Sequence, residues 1–98
     1  MTKNTPEIFD WLGLSGRVCV VTGGGGGIGE GTARHLAALG AAVAVLDWNG
    51  TLAADVAASI TQSGARAIAV EVDVSNEDAV AAAAERVQKE LGACEVLV

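Results

Sequence analysis

Residues 18–29, with the sequence VCVVTGGGGGIG, decide the fold of this chain. The stretch predicts a buried strand, then a turn made almost entirely of glycine, then a helix that begins at Ile28. Glycine lets the backbone turn through conformations that other residues avoid, and it leaves backbone N–H groups open to an anion. The helix start adds unpaired N–H donors and the positive end of its dipole. We therefore predict a phosphate cradle, and we interpret its ligand as the pyrophosphate of a dinucleotide.

The run of five glycines leaves the register of this motif open. Gly24, Gly26 and Gly29 fit the pattern GxGxxG, whereas Gly23, Gly27 and Gly29 fit GxxxGxG equally well. Such a pattern alone is also compatible with a flexible loop or with another nucleotide-like ligand. A strand before it, a helical pattern after it and an acidic residue about 20 positions further on together favour a dinucleotide.

The composition indicates one small acidic domain. The chain has 98 residues, 51% of them hydrophobic, and a net charge of −6, which argues against nucleic acid as a partner. Cys19 and Cys94 show no metal-ligand spacing and are expected to be small buried residues in a reducing compartment. No apolar run reaches the ~18 residues of a membrane span, and no signal peptide is visible, so we expect a cytoplasmic protein without a membrane partner.

Strand and helix patterns alternate along the chain. We predict strands over 17–22, 42–46, 67–72 and 95–98, and helices over 28–39, over 50–62 and after Ser75. This alternation predicts an α/β fold: a Rossmann-like doubly wound parallel sheet, incomplete, with about four strands and three helices in the strand order 3-2-1-4. Residues 1–16 are predicted to form an N-terminal arm, and residues 17–98 the dinucleotide-binding βαβαβαβ part.

Local signals refine the three helices. Asn49 is a predicted N-cap for the second helix, and Ser75 with Asp78 forms a capping signature for the third. Ile28 is expected to give its backbone N–H to the pyrophosphate and its side chain to the core. Gly31 lies inside the first helix, where close packing would explain it.

Thr22-Gly23 followed by Gly27-Ile28-Gly29 resembles the TGxxxGIG motif of the short-chain dehydrogenase/reductase family. The resemblance covers residues 14–98 and favours the GxxxGxG register. It implies an oxidoreductase that transfers hydride between a nicotinamide dinucleotide and a small alcohol or ketone, in a homo-oligomer. The glycine-turn residues assigned to the cofactor are Gly23, Gly25, Gly26, Gly27, Ile28 and Gly29. Thr22 is expected to be structural, with its hydroxyl tying the turn to the neighbouring strand.

Asp47 ends the second predicted strand, beside the glycine turn. A carboxylate there can accept hydrogen bonds from both ribose hydroxyls of an adenosine and would repel a 2′-phosphate. Positions 24–26 and 48 also lack the Lys or Arg that family members using the phosphorylated cofactor often carry there. We therefore expect NAD rather than NADP. Asp47 could instead serve only as a cap, and Trp48 is expected either to lie against the adenosine or to pack on the surface.

Asp73-Val74 resembles the aspartate–hydrophobe pair that this family uses at the adenine. The resemblance implies that the Asp73 carboxylate accepts a hydrogen bond from the exocyclic amine and that the Val74 backbone meets the ring edge. The alternative is that a carboxylate at a strand end is ordinary loop chemistry.

The resemblance implies further motifs that are not found in this sequence. In the family an NNAG motif follows the fourth strand, and a catalytic serine and a YxxxK pair lie further downstream, whereas this sequence contains no tyrosine. We therefore assign no catalytic residue, expect the chain alone to be inactive, and interpret it as the truncated, cofactor-binding front of a longer enzyme. The alternatives are a methyltransferase using S-adenosylmethionine, which the Thr22-Gly23 pair disfavours, and a non-catalytic dinucleotide-binding module.

Overall fold

The computed structural model describes residues 16–98, in which strands and helices alternate as predicted. The elements are β1 (Val18–Thr22), α1 (Gly27–Ala38), β2 (Ala42–Asp47), α2 (Gly50–Gln62), β3 (Ala67–Glu71), α3 (Glu77–Glu90) and β4 (Val96–Leu97). The predicted N-terminal arm lies outside the described residues apart from Gly16, so it stays a prediction.

The four strands form one parallel sheet in the order β3-β2-β1-β4, which confirms the predicted α/β fold and strand order. The chain runs outward from β1 through β2 to β3 and then returns to the other side of β1 as β4. This reversal places a topological switch point at the carboxyl end of β1, where ligands bind in sheets of this kind.

Helices cover both faces of the sheet, so the central strands are apolar throughout. On one face α1 and α2 pack over Cys19, Val21, Val43 and Val45, whose side chains are fully buried. On the other face α3 packs over the alternate residues of β1 and β2. Because a buried strand needs apolar residues on both sides, VCVV reads as a continuous hydrophobic run.

The face that α1 turns to the sheet differs from the prediction. The buried residues of α1 are Ala33 and Ala37, and the Ile28 side chain is 90% exposed, so its predicted place in the core is wrong. Gly29, Ala33 and Ala37 follow one another at four-residue spacing, which puts them on one side of the helix. Ala33 and Ala37 therefore face the sheet, and Leu36 packs partly buried against the same core cluster.

Gly31 is not required by close packing, contrary to the expectation. A Cβ built on it meets nothing within 4 Å among the described residues, and its φ is not in the left-handed region. Gly31→Ala is expected to stabilise the protein by about 0.5–1 kcal/mol, because alanine loses less backbone entropy in a helix. Urea unfolding followed by circular dichroism measures the change, and a lower midpoint than wild type would contradict it.

The second helix begins and ends where it was predicted. Asn49 is the N-cap, and its side chain accepts a hydrogen bond of 3.1 Å from the backbone N–H of Leu52. Val56 and Ile60 of α2 are buried against the sheet, whereas Leu52, in its first turn, is partly exposed next to the glycine turn.

The third helix begins one residue later than its predicted signature indicates. Asn76, not Ser75, is the N-cap, and its side chain accepts a hydrogen bond of 3.1 Å from the backbone N–H of Ala79. The Ser75 hydroxyl donates instead to Asp73 Oδ1 at 2.6 Å, so it is not available as a cap. With 14 residues α3 is longer than α1 or α2.

No helix among residues 16–98 is long and apolar enough to cross a membrane.

Candidate functional site

The glycine turn after β1 adopts the GxxxGxG register. Gly23 and Gly27 have φ values of 66° and 57°, in the left-handed region that favours glycine. A Cβ on Gly29 would overlap the carbonyl oxygen of Gly23 and lie 2.7 Å from its carbonyl carbon. In the other register, Gly26 has extended backbone, and a Cβ there would meet nothing within 4 Å among the described residues. The left-handed backbone of Gly23 and Gly27 and the overlap at Gly29 therefore favour the register of the TGxxxGIG motif.

Two N–H groups of the turn are used inside the protein. Gly24 donates to the carbonyl oxygen of Leu46 at 3.1 Å, which joins the turn to the end of β2. Gly25 donates to Asp47 Oδ2 at 3.0 Å. The sequence assigned Gly25 to the cofactor; its N–H is directed at the Asp47 side chain, and its contact with a cofactor stays a prediction.

The donors available to an anion lie in the first turn of α1. The first N–H groups of a helix have no carbonyl partner within the helix. Here the first hydrogen bond of α1 runs from Glu30 N–H to Gly26 C=O at 3.3 Å, so the N–H groups of Gly27, Ile28 and Gly29 precede it. Together with the positive end of the helix dipole, these three donors suit a phosphate group.

Asp47 lies between the glycine turn and the start of α2. Its Oδ2 accepts the Gly25 N–H and its Oδ1 accepts the Asn49 N–H, each at 3.0 Å. The carboxylate therefore contacts the turn and also accepts from Asn49, the N-cap residue of α2, whereas its role at a ribose stays a prediction. Because each carboxylate oxygen has a second lone pair, both can still accept from a ligand hydroxyl.

Trp48 and Asp73 line one cleft of about 430 Å³, at the carboxyl ends of β2 and β3. Trp48 is 78% exposed, and its ring is not packed into the core. Glu71 also lines this cleft and pairs in register with Asp47, so two acids stand side by side at the sheet end. Sequence reasoning missed Glu71, because its place beside Asp47 depends on the register of β2 and β3, which the predicted strand ends do not give.

The Asp73 carboxylate is held by the residue two positions later. Its Oδ1 accepts the Ser75 hydroxyl at 2.6 Å and the Ser75 N–H at 2.9 Å. These bonds, the hydroxyl first and the N–H second, lower the pKa of Asp73 below its usual value of 3.8. Asp73 therefore stays ionised further into the acid range than an ordinary aspartate. The neighbouring Val74 is exposed.

Ser75→Ala is expected to raise the pKa of Asp73 toward its usual value, because the variant loses the hydroxyl and keeps the N–H. Titration of the Asp73 carboxyl carbon by NMR measures this pKa. Ser63→Ala is a matched control, since Ser63 donates to Ile60 C=O at a site remote from Asp73. An unchanged Asp73 pKa in Ser75→Ala would show that the hydroxyl has no effect.

Thr22 has the structural role that was predicted. Its hydroxyl donates to the carbonyl oxygen of Val98 at 3.0 Å, and its own N–H donates to the same oxygen at 3.1 Å. The start of the turn is thereby fastened to the residue that follows β4, on the other side of β1.

Two further clefts differ in character from the glycine-turn site. One, of about 560 Å³, lies at the amino ends of the strands and is lined mainly by glycine and alanine. The other is an apolar groove of about 480 Å³ between α3 and β4, beside which Leu97 is 71% exposed. Neither lining includes a glycine of the turn or Asp47, although Val74, which the sequence assigned to the cofactor, lines the second groove.

The fold and the site together define the class of protein. A parallel sheet that reverses at β1, a glycine turn leading into a helix start at that point, and an acid at the end of the next strand are the parts of a Rossmann-type nucleotide-binding domain. The family model "short chain dehydrogenase" matches residues 17–98, and the chain belongs to this family of oxidoreductases.

Individual relatives agree with this assignment. The chain is 49% identical over 82 residues to a cis-4-hydroxycyclohexanecarboxylate dehydrogenase of Sinomonas cyclohexanicum, a match that covers 84% of this chain and 32% of the relative. A putative D-mannonate oxidoreductase from Haemophilus influenza with bound NAD superposes with a TM-score of 0.83 at 31% identity, covering 86% of this chain and 30% of that one.

A metagenomic short-chain oxidoreductase in complex with NADP superposes with a TM-score of 0.78 at 40% identity, covering 85% of this chain and 38% of that one. The similar structures therefore include both nicotinamide dinucleotides. The chain spans about a third of the length of the curated relatives that it matches, 32% and 33% for two of them.

Proposed function

We propose that this chain is the NAD-binding part of a short-chain dehydrogenase that transfers hydride between NAD(H) and a small alcohol or ketone. The observation that carries the proposal is the Asp47 carboxylate, which is fixed 3.0 Å from the Gly25 N–H beside a helix start suited to phosphate. The residues proposed for the cofactor site are Gly23, Gly25, Gly26, Gly27, Ile28, Gly29, Asp47, Trp48, Asp73 and Val74.

Each part of the site has a proposed task. The N–H groups at the start of α1 hold the pyrophosphate, and the Asp47 carboxylate accepts from the ribose hydroxyls. The cleft between Trp48 and Asp73 takes the adenine, where the Asp73 carboxylate accepts from the exocyclic amine and the Val74 backbone meets the ring edge. Gly25 supports Asp47 and does not itself contact the anion.

The charges around the sugar site support NAD over NADP. Asp47 and Glu71 end adjacent strands, and both would repel an additional phosphate on the ribose. No Lys or Arg stands at 24–26 or at 48, where one could pair with that phosphate. Binding of the 2′-phosphate would place a doubly charged group beside these acids, with no Lys or Arg at positions 24–26 or 48 to compensate it.

The catalytic groups of the proposed enzyme are not among these residues. NAD supplies the hydride-accepting ring when it is bound, but the reaction also needs an acid–base group at the substrate. The family resemblance assigns this task to a tyrosine of a YxxxK pair, and the sequence has no tyrosine. We therefore propose that the chain by itself binds NAD(H) without turnover, and that substrate binding and homo-oligomer formation depend on other parts of a longer, cytoplasmic enzyme.

Calorimetric titration tests the proposed function against its main alternative. NADH and S-adenosylmethionine are titrated separately into the 98-residue chain. NADH is expected to bind and S-adenosylmethionine to give no heat of binding, because Asp47 and the donors of α1 are proposed to act on one dinucleotide. Binding of S-adenosylmethionine without NADH would favour a methyltransferase, and turnover of an alcohol by the chain alone would contradict the proposed absence of catalytic groups.

A further inference from the structure

We propose that Gly25 determines cofactor specificity: it fixes the Asp47 carboxylate in the position that discriminates NAD from NADP, although its own N–H binds no cofactor. The inference rests on the proposed function, since it assigns a positioning residue to the same sugar site. It makes the absence of a side chain at position 25 a requirement of specificity in this chain.

The carboxylate of Asp47 is held from two sides. The Gly25 N–H binds Oδ2 and the Asn49 N–H binds Oδ1, so rotation of the carboxylate would break one or both bonds. The backbone of Asp47 is fixed as well, because its carbonyl accepts the N–H of Val72 at 3.0 Å. Turning this carboxylate aside when a phosphate approaches the sugar site would cost these hydrogen bonds, so rotation of the side chain relieves the repulsion only at that cost.

Position 25 also leaves no room for a side chain. A Cβ there would lie 2.8 Å from Asp47 Oδ2, 2.9 Å from Leu52 Cβ and 3.0 Å from the backbone nitrogen of Ala53. Leu52 and Ala53 belong to the first turn of α2, and both of their N–H groups are bound by the cap residue Asn49. Of the three crowded atoms, the carboxylate oxygen is the one that can move most easily, so a Cβ at position 25 displaces it.

The neighbouring glycines of the turn do not have this relation to Asp47. A Cβ on Gly24 would meet Val45 and Val21 in the core, and one on Gly26 would meet nothing within 4 Å among the described residues. Gly25 alone of these three both donates to Asp47 and packs against it. The effect on specificity is therefore expected at position 25.

Gly25→Ala tests the proposal in the 98-residue chain. Dissociation constants for NADH and NADPH are measured by fluorescence titration, and the NADPH:NADH ratio of the two constants is compared with wild type. We expect the ratio to fall about tenfold, the scale of one lost or misplaced hydrogen bond to a charged group. Gly31→Ala is the matched control, because it adds the same methyl group in open space outside the site and is expected to keep the wild-type ratio.

A second variant covers the case in which Gly25→Ala does not fold. Asp47→Glu keeps the charge but places the carboxylate one methylene further out, so it is unable to keep both N–H bonds in their present geometry. The NADPH:NADH ratio of dissociation constants is expected to fall in Asp47→Glu, as it is in Gly25→Ala. Amide hydrogen exchange supplies a readout without cofactor: the Gly25 amide is expected to exchange at least about tenfold faster in Asp47→Ala than in wild type.

The outcomes separate this inference from the proposed function. If wild type binds NADH more tightly than NADPH and the ratio is unchanged in Gly25→Ala or, where that variant does not fold, in Asp47→Glu, the role of Gly25 is wrong and the proposed function stands. If wild type binds neither dinucleotide, the proposed function is wrong and the inference falls with it. A Gly25 amide that exchanges equally fast in wild type and Asp47→Ala would also overturn the inference.

Discussion

Gly29→Ala is expected to destabilise the protein by at least about 3 kcal/mol, because the added methyl group would meet backbone atoms that no rotamer change can move aside. The Cβ would overlap the Gly23 carbonyl oxygen and lie 2.7 Å from the Gly23 carbonyl carbon and 3.1 Å from Gly24 Cα. Relief would need a shift of the turn away from α1, whose buried Ala33 and Ala37 keep the helix on the sheet.

The magnitude is large for a single methyl group. The free energy of unfolding of a domain is typically only about 5–15 kcal/mol, so the expected loss would remove a substantial part of it. Urea unfolding followed by circular dichroism gives the measurement, with Gly31→Ala in the same helix as the control. Because Gly31 has open space and Gly29 has none, the two variants are expected to shift the midpoint in opposite directions. A Gly29→Ala midpoint equal to that of wild type would show that the turn does not hold α1 this closely.

The sequence predicted the fold well because its signals are strong and local. The apolar run of β1, the glycine turn and the repeated alternation of strand and helix patterns depend on neighbouring residues only. The strand order followed from the handedness of parallel crossovers, which leaves few arrangements. Asn49 was recognised as a cap for the same reason, since its partner Leu52 lies three residues away.

The errors concern features that depend on distant or competing contacts. The Ile28 side chain was placed in the core, but it is 90% exposed, and the residues of α1 that are buried are Ala33 and Ala37. Ser75 was a reasonable cap, but its hydroxyl binds Asp73, and Asn76 takes the cap position. In each case two local signals competed, and the three-dimensional neighbours decided between them.

The candidate site shows the same division. The glycine turn and the acid at the end of β2 were predicted from spacing, and the structure brings them into direct contact. The packing of Gly25 against Leu52 and Ala53 was not predictable, because it depends on where α2 begins relative to the turn. Glu71 was missed since its place beside Asp47 follows from the register of β2 and β3.

Asp47→Ala is expected to change cofactor preference more than any other single substitution in the site. The variant loses the acceptor for the ribose hydroxyls, which should weaken NADH binding by about 10- to 100-fold, since hydrogen bonds to charged groups contribute about 1.5–3 kcal/mol. It also removes the charge that would repel a 2′-phosphate, so NADPH binding should improve. Titration of both dinucleotides into wild type and variant gives the two changes separately.

Two controls separate the loss of the Asp47 contact with the ribose from a change in net charge and from a loss of folding. Asp55→Ala removes one negative charge from the exposed side of α2, in a chain of net charge −6, and is expected to leave the NADPH:NADH ratio unchanged. Asp47→Ala also leaves the N–H groups of Gly25 and Asn49 without their acceptor, so its unfolding midpoint is measured alongside. Weaker binding of both dinucleotides to the same degree would indicate a damaged turn, whereas weaker NADH with stronger NADPH is the result that a sugar-reading carboxylate requires. Unchanged preference in a folded variant would mean that another group reads the sugar, with Glu71 the nearest acid in register.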